Sequence, residues 1–108
     1  MKVQIDELKQ VTLRVLSRSG YPTEEAQTIL DVLMYAQLRG NNQGIVKLIG
    51  AGMPRDKSAK PVSAIKETKL SALLDGGRNS GMVVLTHATS LALQKAREHG
   101  IAIVGTNN

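Results

Sequence analysis

The stretch EHGIAIVGTNN, residues 98–108, decides the fold class. Within it, Ile101–Val104 is a continuous apolar run, which is typical of a strand covered on both faces. Such a strand needs helices above and below it and further strands beside it. Residues 82–98, just before it, have the pattern of a helix that is apolar on more than one side. We therefore expect an α/β protein whose long helix and buried strand belong to a larger sheet.

A β-hairpin is predicted before this helix. Val62–Glu67 and Leu70–Leu74 are short strand-like runs, separated by Thr68 and Lys69. The segment DGGRNSG, residues 75–81, then breaks the pattern, with Asn79 or Ser80 available as the helix N-cap.

The N-terminal part predicts two helices joined by a tight turn. The first covers residues 5–19, and Gly20 is its expected stop. The second begins after Thr23, the predicted N-cap, and extends to about Leu38, and Gly40 ends it. The inward positions are, on the first helix, Leu8, Val11, Val15 and Leu16, and on the second, Ala26, Ile29, Leu30, Leu33 and Gln37.

A shorter helix is predicted over residues 44–51, followed by a charged loop between prolines at residues 52–61. That loop is the best candidate boundary. We expect a helical N-terminal segment at 1–52 and the first part of an α/β domain at 62–108, truncated at Asn108. The rest of the sheet would come from a longer sequence, the alternative being another copy of the chain.

Composition excludes several classes of protein. The chain has 108 residues with 42% hydrophobic, 21% charged and no Cys, so it has neither disulfides nor thiolate metal sites. No apolar run approaches the length of a membrane helix, and the N-terminus lacks the apolar region of a secretion signal. The net charge is +5, but the cations are scattered and no Phe or Trp could stack on bases. We expect a cytoplasmic protein that binds neither nucleic acid nor membrane.

Three segments are weak candidates for chemistry. DGGRNSG follows a strand and opens a helix, so its backbone N–H groups could hold a phosphate, the alternative being a simple capped turn. His87 and His99 are too far apart on one helix to share a metal ion, and we expect His87 to be packed. Residues 105–108, GTNN, lie just past a buried strand, where α/β proteins often bind ligands.

RGNNQG, residues 39–44, comes closest to a functional constellation. If residues 44–51 are helical, Gln43 and Lys47 are four apart and face the same way. A carboxamide and a cation projecting together can bind a carboxylate or a carbonyl oxygen. The alternative is an ordinary turn between helices, because Asn and Gly favour turns.

The segment RGNNQGIVKL, the hairpin ending in DGG and the helix followed by HGIAIVGTNN together resemble the N-terminal portion of the malate/L-lactate dehydrogenase family. This family has no Rossmann domain. The resemblance spans nearly all of the chain and implies an oxidoreductase that transfers a hydride between NAD or NADP and a small 2-hydroxy or 2-oxo acid. It also implies a homodimer at full length, and a fragment that is inactive by itself.

The family signature is R-G followed by S-H-G and a basic residue on the next helix turn. The resemblance places Asn42 where the family has Ser, Gln43 where it has the proton-donating His, and Lys47 where a basic residue touches the cofactor. Gln43 and Asn42 are thus the candidate catalytic residues and Lys47 the candidate cofactor-binding residue, with no metal ligand. A second family His lies beyond Asn108.

The Gln43 replacement changes the chemistry that this position can perform. Histidine donates protons near neutral pH, whereas an amide only donates a hydrogen bond to a developing oxyanion. Two functions therefore remain open. The chain belongs to a dehydrogenase with a different proton donor, or the same fold binds a small acid or a partner without catalysis.

Overall fold

The computed structural model describes residues 2–49 and 52–108, without the side chains of Lys47 and Ile49. Its elements are α1 (Ile5–Arg18), α2 (Thr23–Leu38), α3 (Val46–Ile49), β1 (Ser63–Glu67), β2 (Ser71–Asp75), α4 (Gly81–His99) and β3 (Ile103–Asn107). The predicted α/β class, with a helical hairpin before a β-hairpin, a long helix and a strand, is confirmed. None of the described helices is both long and apolar enough to cross a membrane.

The chain divides into two compact units, Met1–Arg55 and Asp56–Asn108. The first is helical and the second contains the sheet. The narrower assignment of domains to residues 1–52 and 62–108, with truncation at Asn108, stays a prediction.

The core of the first unit lies between α1 and α2. Its largest fully buried side chains are Leu16, Ile29, Leu30 and Leu33. Each such aliphatic side chain contributes about 1.5–3 kcal/mol when it leaves water. The predicted inward face of α2 is confirmed except at Gln37, which is exposed, while Met34 is buried.

The predicted face of α1 is partly wrong. Val11 and Val15 are 49% and 37% exposed, whereas Thr12 is only 2% exposed. Thr12 tolerates burial because its hydroxyl donates a hydrogen bond to the Leu8 carbonyl oxygen at 2.7 Å. The apolar arc of α1 is wider than the surface that α2 covers, so hydrophobicity alone did not locate the buried side.

The turn between α1 and α2 uses Gly20 as predicted. Its φ of +99° is the left-handed conformation that ends many helices, and the Tyr21 N–H closes the turn on the Leu16 carbonyl at 3.2 Å. Thr23 is the first residue of α2 and not its N-cap. Pro22 holds the N-cap position without any side-chain hydrogen bond.

Arg55, Glu25 and Tyr21 form a polar cluster in the first unit. The Arg55 guanidinium contacts both Glu25 carboxylate oxygens, at 3.0 and 3.4 Å. Tyr21, 8% exposed, lies close enough that burial, with the Glu25 charge second, raises its pKa above 10.0, while Arg55 opposes the shift. The neutral phenol is therefore the form that the folded state favours.

This gives a prediction for alkaline pH. The phenol ionises at lower pH in the unfolded chain than in the folded one, so the unfolded state loses its proton first. The stabilisation is complete below the ordinary Tyr value of 10.0 and is lost as the pH rises from there through the higher folded pKa. Urea unfolding at a series of pH values measures the decline. Tyr21→Phe should remove that decline, and an equal decline in the variant would contradict the prediction.

The second unit is a three-stranded sheet in the order β1-β2-β3. β1 and β2 form the predicted antiparallel hairpin, with a bulge between Ala64 and Lys66. β2 and β3 are parallel, in the register that pairs Ser71 with Ile103 and Asp75 with Asn107. Parallel neighbours need a crossover connection, which α4 supplies.

The core of this unit lies between β2 and α4. Ala72 and Leu74 on β2 are buried together with Ala88 on α4, and three partly buried side chains pack against them: Val62, Leu91 and Val104. Alanine at two of the three buried positions, Ala72 and Ala88, lets the helix lie close to the sheet.

The last strand lies later in the chain than predicted, and its burial by the rest of a larger sheet stays a prediction. β3 covers Ile103–Asn107, two residues later than predicted, and Ile101 and Ile103 are 62% and 71% exposed. The later start follows from the pairing, because the Ile103 N–H donates to the Leu70 carbonyl at 2.8 Å and sets the register. One helix covers one face, so the outward side chains meet no partner within these residues.

Lys95 links α4 to the β1–β2 hairpin through polar contacts. Lys95 is only 8% exposed. Its ammonium group donates to the Thr68 carbonyl at 2.7 Å and contacts a Glu67 carboxylate oxygen at 2.8 Å. The sequence did not single out this cation, which falls among apolar helix positions.

Replacing Lys95 should destabilise the second unit more than replacing a surface lysine does. Lys95→Met retains the apolar stem but leaves the Thr68 carbonyl and Glu67 without their donor, at a cost of about 1–3 kcal/mol. Chemical denaturation monitored by circular dichroism measures the loss. Lys69→Met in the exposed hairpin turn is the matched control, and equal effects of the two variants would refute the role assigned to Lys95.

Candidate functional site

The RGNNQG segment forms a turn that Asn41 organises. The Asn41 side-chain oxygen accepts the Gln43 N–H at 2.8 Å, and the Asn41 carbonyl accepts the Gly44 N–H at 3.3 Å. The Asn41 N–H in turn donates to the Ala36 carbonyl at 3.0 Å. The backbone is thus an asparagine turn of the ordinary kind, as the alternative interpretation predicted. The role of Asn41 was not predicted, although an Asn side chain that accepts the N–H two residues later is a known turn signal.

Gln37 on α2 binds the C-terminal end of this turn. Its side-chain oxygen accepts the Ile45 N–H at 3.2 Å. Gly44 is buried against it, and a Cβ atom at position 44 would lie 2.9 Å from the Gln37 backbone nitrogen and 3.0 Å from its side-chain oxygen. Glycine is required here by close approach of two chain segments.

Asn42 and Gln43 project from the fixed turn and are exposed. The Gln43 side-chain nitrogen lies 3.5 Å from the Asn42 side-chain oxygen, which is too long for a strong hydrogen bond. The Gln43 amide is therefore oriented only weakly, and its donor hydrogens are accessible to a ligand. Whether Asn42 and Gln43 are catalytic stays a prediction.

The expected pairing of Gln43 with Lys47 on one helix does not hold. α3 begins at Val46, so Gln43 lies in the turn before it and helical spacing does not apply. The predicted helix over 44–51 is shorter in the structure, and Gly50 and Ala51 lie outside the described residues. The side chain of Lys47 does too, so its predicted contact with a cofactor is untested.

Arg39, the first residue of the segment, lies against α2. Its guanidinium carbon is 3.5 Å from the centre of the Tyr35 ring, and it donates a hydrogen bond to the Tyr35 carbonyl at 3.2 Å. A stacked guanidinium of this kind stabilises the end of the helix.

The glycine-rich loop of the second unit is a tight turn with little capacity to hold a phosphate. The N–H groups of Gly76, Gly77 and Arg78 donate to the Asn107 carbonyl, an Asp75 carboxylate oxygen and the Asn108 carbonyl, at 2.7, 2.9 and 2.9 Å. Ser80 is the N-cap of α4, accepting from the Met82 N–H at 3.3 Å, as one of the two predicted caps. Donors already engaged in this way are not available to a ligand.

Neither histidine belongs to a site within the described residues. His87 is exposed on α4, contrary to the expectation that it is packed. His99 lies in the last turn of α4, 3.7 Å from a Glu98 carboxylate oxygen. No cluster of three or more His, Asp or Glu side chains suited to a metal ion occurs in the described part of the chain.

The second unit contains a cavity of about 660 Å³ that sequence analysis missed. It lies at the carboxyl ends of the parallel strands β2 and β3 and is lined by Ser58, Lys60, Asp75, Gly77, Arg78 and Asn108. Residues 105–108 had been expected to form a loop past the strand, but β3 continues to Asn107 and only Asn108 reaches this position. The ends of β2 and β3 and the loop containing Ser58 and Lys60 meet at this edge of the sheet, and sequence patterns do not show that they meet.

The order of these elements agrees with known proteins. A family model described as malate/L-lactate dehydrogenase matches residues 3–108. The chain belongs to the malate/L-lactate dehydrogenase family.

Relatives and structural neighbours extend over the whole chain. It is 35% identical over 113 residues to a malate dehydrogenase of Pyrococcus abyssi, covering 100% of this chain and 31% of the relative. It is 33% identical over 105 residues to an L-sulfolactate dehydrogenase of Methanocaldococcus jannaschii, covering 93% and 30%. The malate dehydrogenase structure of Pyrococcus horikoshii OT3 superimposes with a TM-score of 0.82 at 32% identity, covering 100% and 33%. The chain spans about a third of the length of these relatives.

Gly44 provides a test of the turn geometry in this family member. Gly44→Ala places a methyl group against the Gln37 backbone and should cost about 1–3 kcal/mol of stability, as overpacking does. Thermal unfolding measures the loss. Gly81→Ala is the matched control, because a Cβ atom there meets nothing within 4 Å. A Gly44 variant as stable as the control would contradict the close packing of the turn against α2.

Proposed function

We propose that this chain is the N-terminal part of an oxidoreductase that exchanges a hydride between NAD or NADP and a small 2-hydroxy or 2-oxo acid. The family match carries the proposal. Malate and sulfolactate, named in the relatives, are both small hydroxy acids, which supports this substrate class. The complete protein is proposed to be a homodimer in the cytoplasm.

Asn42 and Gln43 are proposed to line the substrate site. Their turn is fixed by backbone and Asn41 bonds, while their side chains remain exposed and weakly paired. An amide N–H can donate to the substrate oxygen and stabilise negative charge there as the reaction proceeds. It cannot deliver a proton at any useful pH, so the proton comes from water or another side chain.

The residues described here do not by themselves fit a dinucleotide. The N–H groups of the glycine-rich loop, the natural place for a pyrophosphate, are engaged within the chain. Lys47 is the residue proposed to touch the cofactor.

A non-catalytic role is the second candidate. Gln43 stands where the family signature has its proton donor, and this replacement favours binding of a small acid or a partner without redox chemistry. Nucleotide binding distinguishes the two functions, because only the oxidoreductase needs NAD or NADP.

The decisive experiment adds NADH or NADPH and a panel of 2-oxo acids to the full-length protein. The absorbance of the reduced nucleotide then measures turnover. Gln43→His should raise the rate by about 10²–10⁴-fold, because an imidazole with a pKa near 6.5 supplies the missing proton. The gain should disappear as pH rises above that pKa.

Gln43→Asn is the control for that experiment, since it retains an amide but supplies no proton. If neither the wild type nor the His variant turns over, and neither binds a nicotinamide nucleotide, the oxidoreductase proposal fails. Nucleotide binding without turnover in both would leave the cofactor assignment in place and refute the role assigned to position 43.

A further inference from the structure

The backbone of the RGNNQG turn is held by hydrogen bonds at nearly every residue. Within the described residues, all backbone N–H groups from Arg39 to Ile45 have acceptors except that of Asn42. Most of these acceptors are main-chain carbonyl oxygens. The exceptions are the side-chain oxygen of Gln37, which accepts the Ile45 N–H, and that of Asn41, which accepts the Gln43 N–H. Asn41 is therefore the side chain that holds the peptide of residue 43 itself.

Asn41 connects this peptide to α2. Its own N–H donates to the Ala36 carbonyl at 3.0 Å, so its backbone is attached to the end of the helix. Its side-chain oxygen accepts the Gln43 N–H at 2.8 Å, whereas its carbonyl accepts the Gly44 N–H at the longer distance of 3.3 Å. The shorter bond fixes the backbone at residue 43, and the backbone determines which side-chain rotamers are allowed there.

The Gln43 side chain has little else to direct it. Its amide nitrogen lies 3.5 Å from the Asn42 side-chain oxygen, and the residue is exposed. A side chain without strong contacts of its own takes its starting point and direction from its backbone. The position of the amide group thus depends on the bond from Asn41.

We propose that Asn41 is a positioning residue for the side chain at position 43, holding the Gln43 peptide so that this side chain projects toward the substrate. The proposal rests on the role proposed for Gln43. The bond lies at the exposed surface, where water replaces a lost acceptor with little effect on stability. Water does not hold a peptide in one orientation, so the loss of this bond affects placement more than folding.

Kinetics of the full-length protein with NADH or NADPH and 2-oxo acids test this role. Asn41→Ala should lower kcat about ten- to hundredfold, because misplacement by about 1 Å can cost that much, and should leave KM and the thermal midpoint nearly unchanged. Asn41→Asp should retain most of kcat, since a carboxylate accepts the same N–H. An unchanged kcat in Asn41→Ala overturns the proposal. A fall in its thermal midpoint as large as that of Gly44→Ala does so too, because it indicates a role in folding alone.

A second measurement does not depend on turnover. Gln43→His places an imidazole at position 43 of the full-length protein, and NMR of the ring protons follows its titration. In this background, Asn41→Asp should raise the imidazole pKa by about half a unit to one unit relative to Asn41→Ala, because a carboxylate held beside residue 43 stabilises the imidazolium. Arg39 and Lys47 are the same in every variant, so their charges cancel from the comparison.

Two controls separate a fixed turn from general charge effects. Ser17→Asp adds the same charge at an exposed site next to the α1–α2 turn, and the length of α2, roughly 24 Å at 1.5 Å per residue, separates that turn from RGNNQG. It should not shift the imidazole pKa, because salt screens charges at such distances. In urea-unfolded protein, the difference between Asn41→Asp and Asn41→Ala should shrink, because the turn is absent.

The outcomes for Asn41 and for the reaction are distinguishable. Equal imidazole pKa values in Asn41→Asp and Asn41→Ala, an equal shift in Ser17→Asp, or the same difference in the unfolded chain refutes the positioning role, whatever the turnover. The expected shift in a protein that neither turns over nor binds a nicotinamide nucleotide supports the hold of Asn41 on residue 43, while the oxidoreductase proposal fails.

Discussion

The parallel pairing of β2 with β3 is the constraint on which the second unit depends. It fixes a crossover helix between the two strands and brings Asp75 and Asn107 to the same edge. The chain must then turn into α4 within a few residues of Asp75. Gly76 is buried so close to the end of β3 that a Cβ atom would lie 2.8 Å from the Asn108 carbonyl oxygen, and a Cβ at Gly77 would collide with the Lys60 carbonyl oxygen. Gly76 is therefore required by the approach of β3 and Gly77 by the approach of the loop at Lys60, and phosphate recognition is not needed to explain either glycine.

The same constraint explains why polar chemistry gathers at this edge. Once the backbone N–H groups of residues 76–78 bind the end of β3 and Asp75, the turn is rigid and its side chains point outward from a fixed frame. Asn79 adds to that frame by donating to the Lys60 and Gly76 carbonyl oxygens at 2.6 and 2.8 Å. Such a turn costs conformational entropy to form, and the hydrogen bonds offset it. The strained Arg78 is tolerated because the surrounding bonds determine the backbone around it.

Local sequence patterns predicted the fold well. They did not predict the features that depend on strand pairing and side-chain packing. The positions of α1, α2, α4 and the hairpin follow from periodicity, Gly20 and Ser80. The start of β3 does not, because its register depends on a hydrogen bond to Leu70, a residue 33 positions earlier. Thr12 and Lys95 are buried polar residues whose hydrogen bonds permit burial, and no hydrophobicity pattern identifies them. The candidate turn was located by resemblance, but the role of Asn41 and the cavity at the sheet edge needed three-dimensional structure.

The turn that contains Gln43 is held together without help from the Gln43 side chain. The bonds that fix it come from Asn41, Gln37 and the backbone, and Gly44 is the residue whose size matters. The side chain at position 43 makes only a 3.5 Å contact with Asn42, so the architecture does not depend on it. An exchange of the side chain at position 43 should therefore cost little folding stability. Conversely, the frame retains the capacity to present an imidazole. Under the role proposed for Gln43, a difference in activity between Gln and His at this position would therefore report proton transfer and not the stability of the turn.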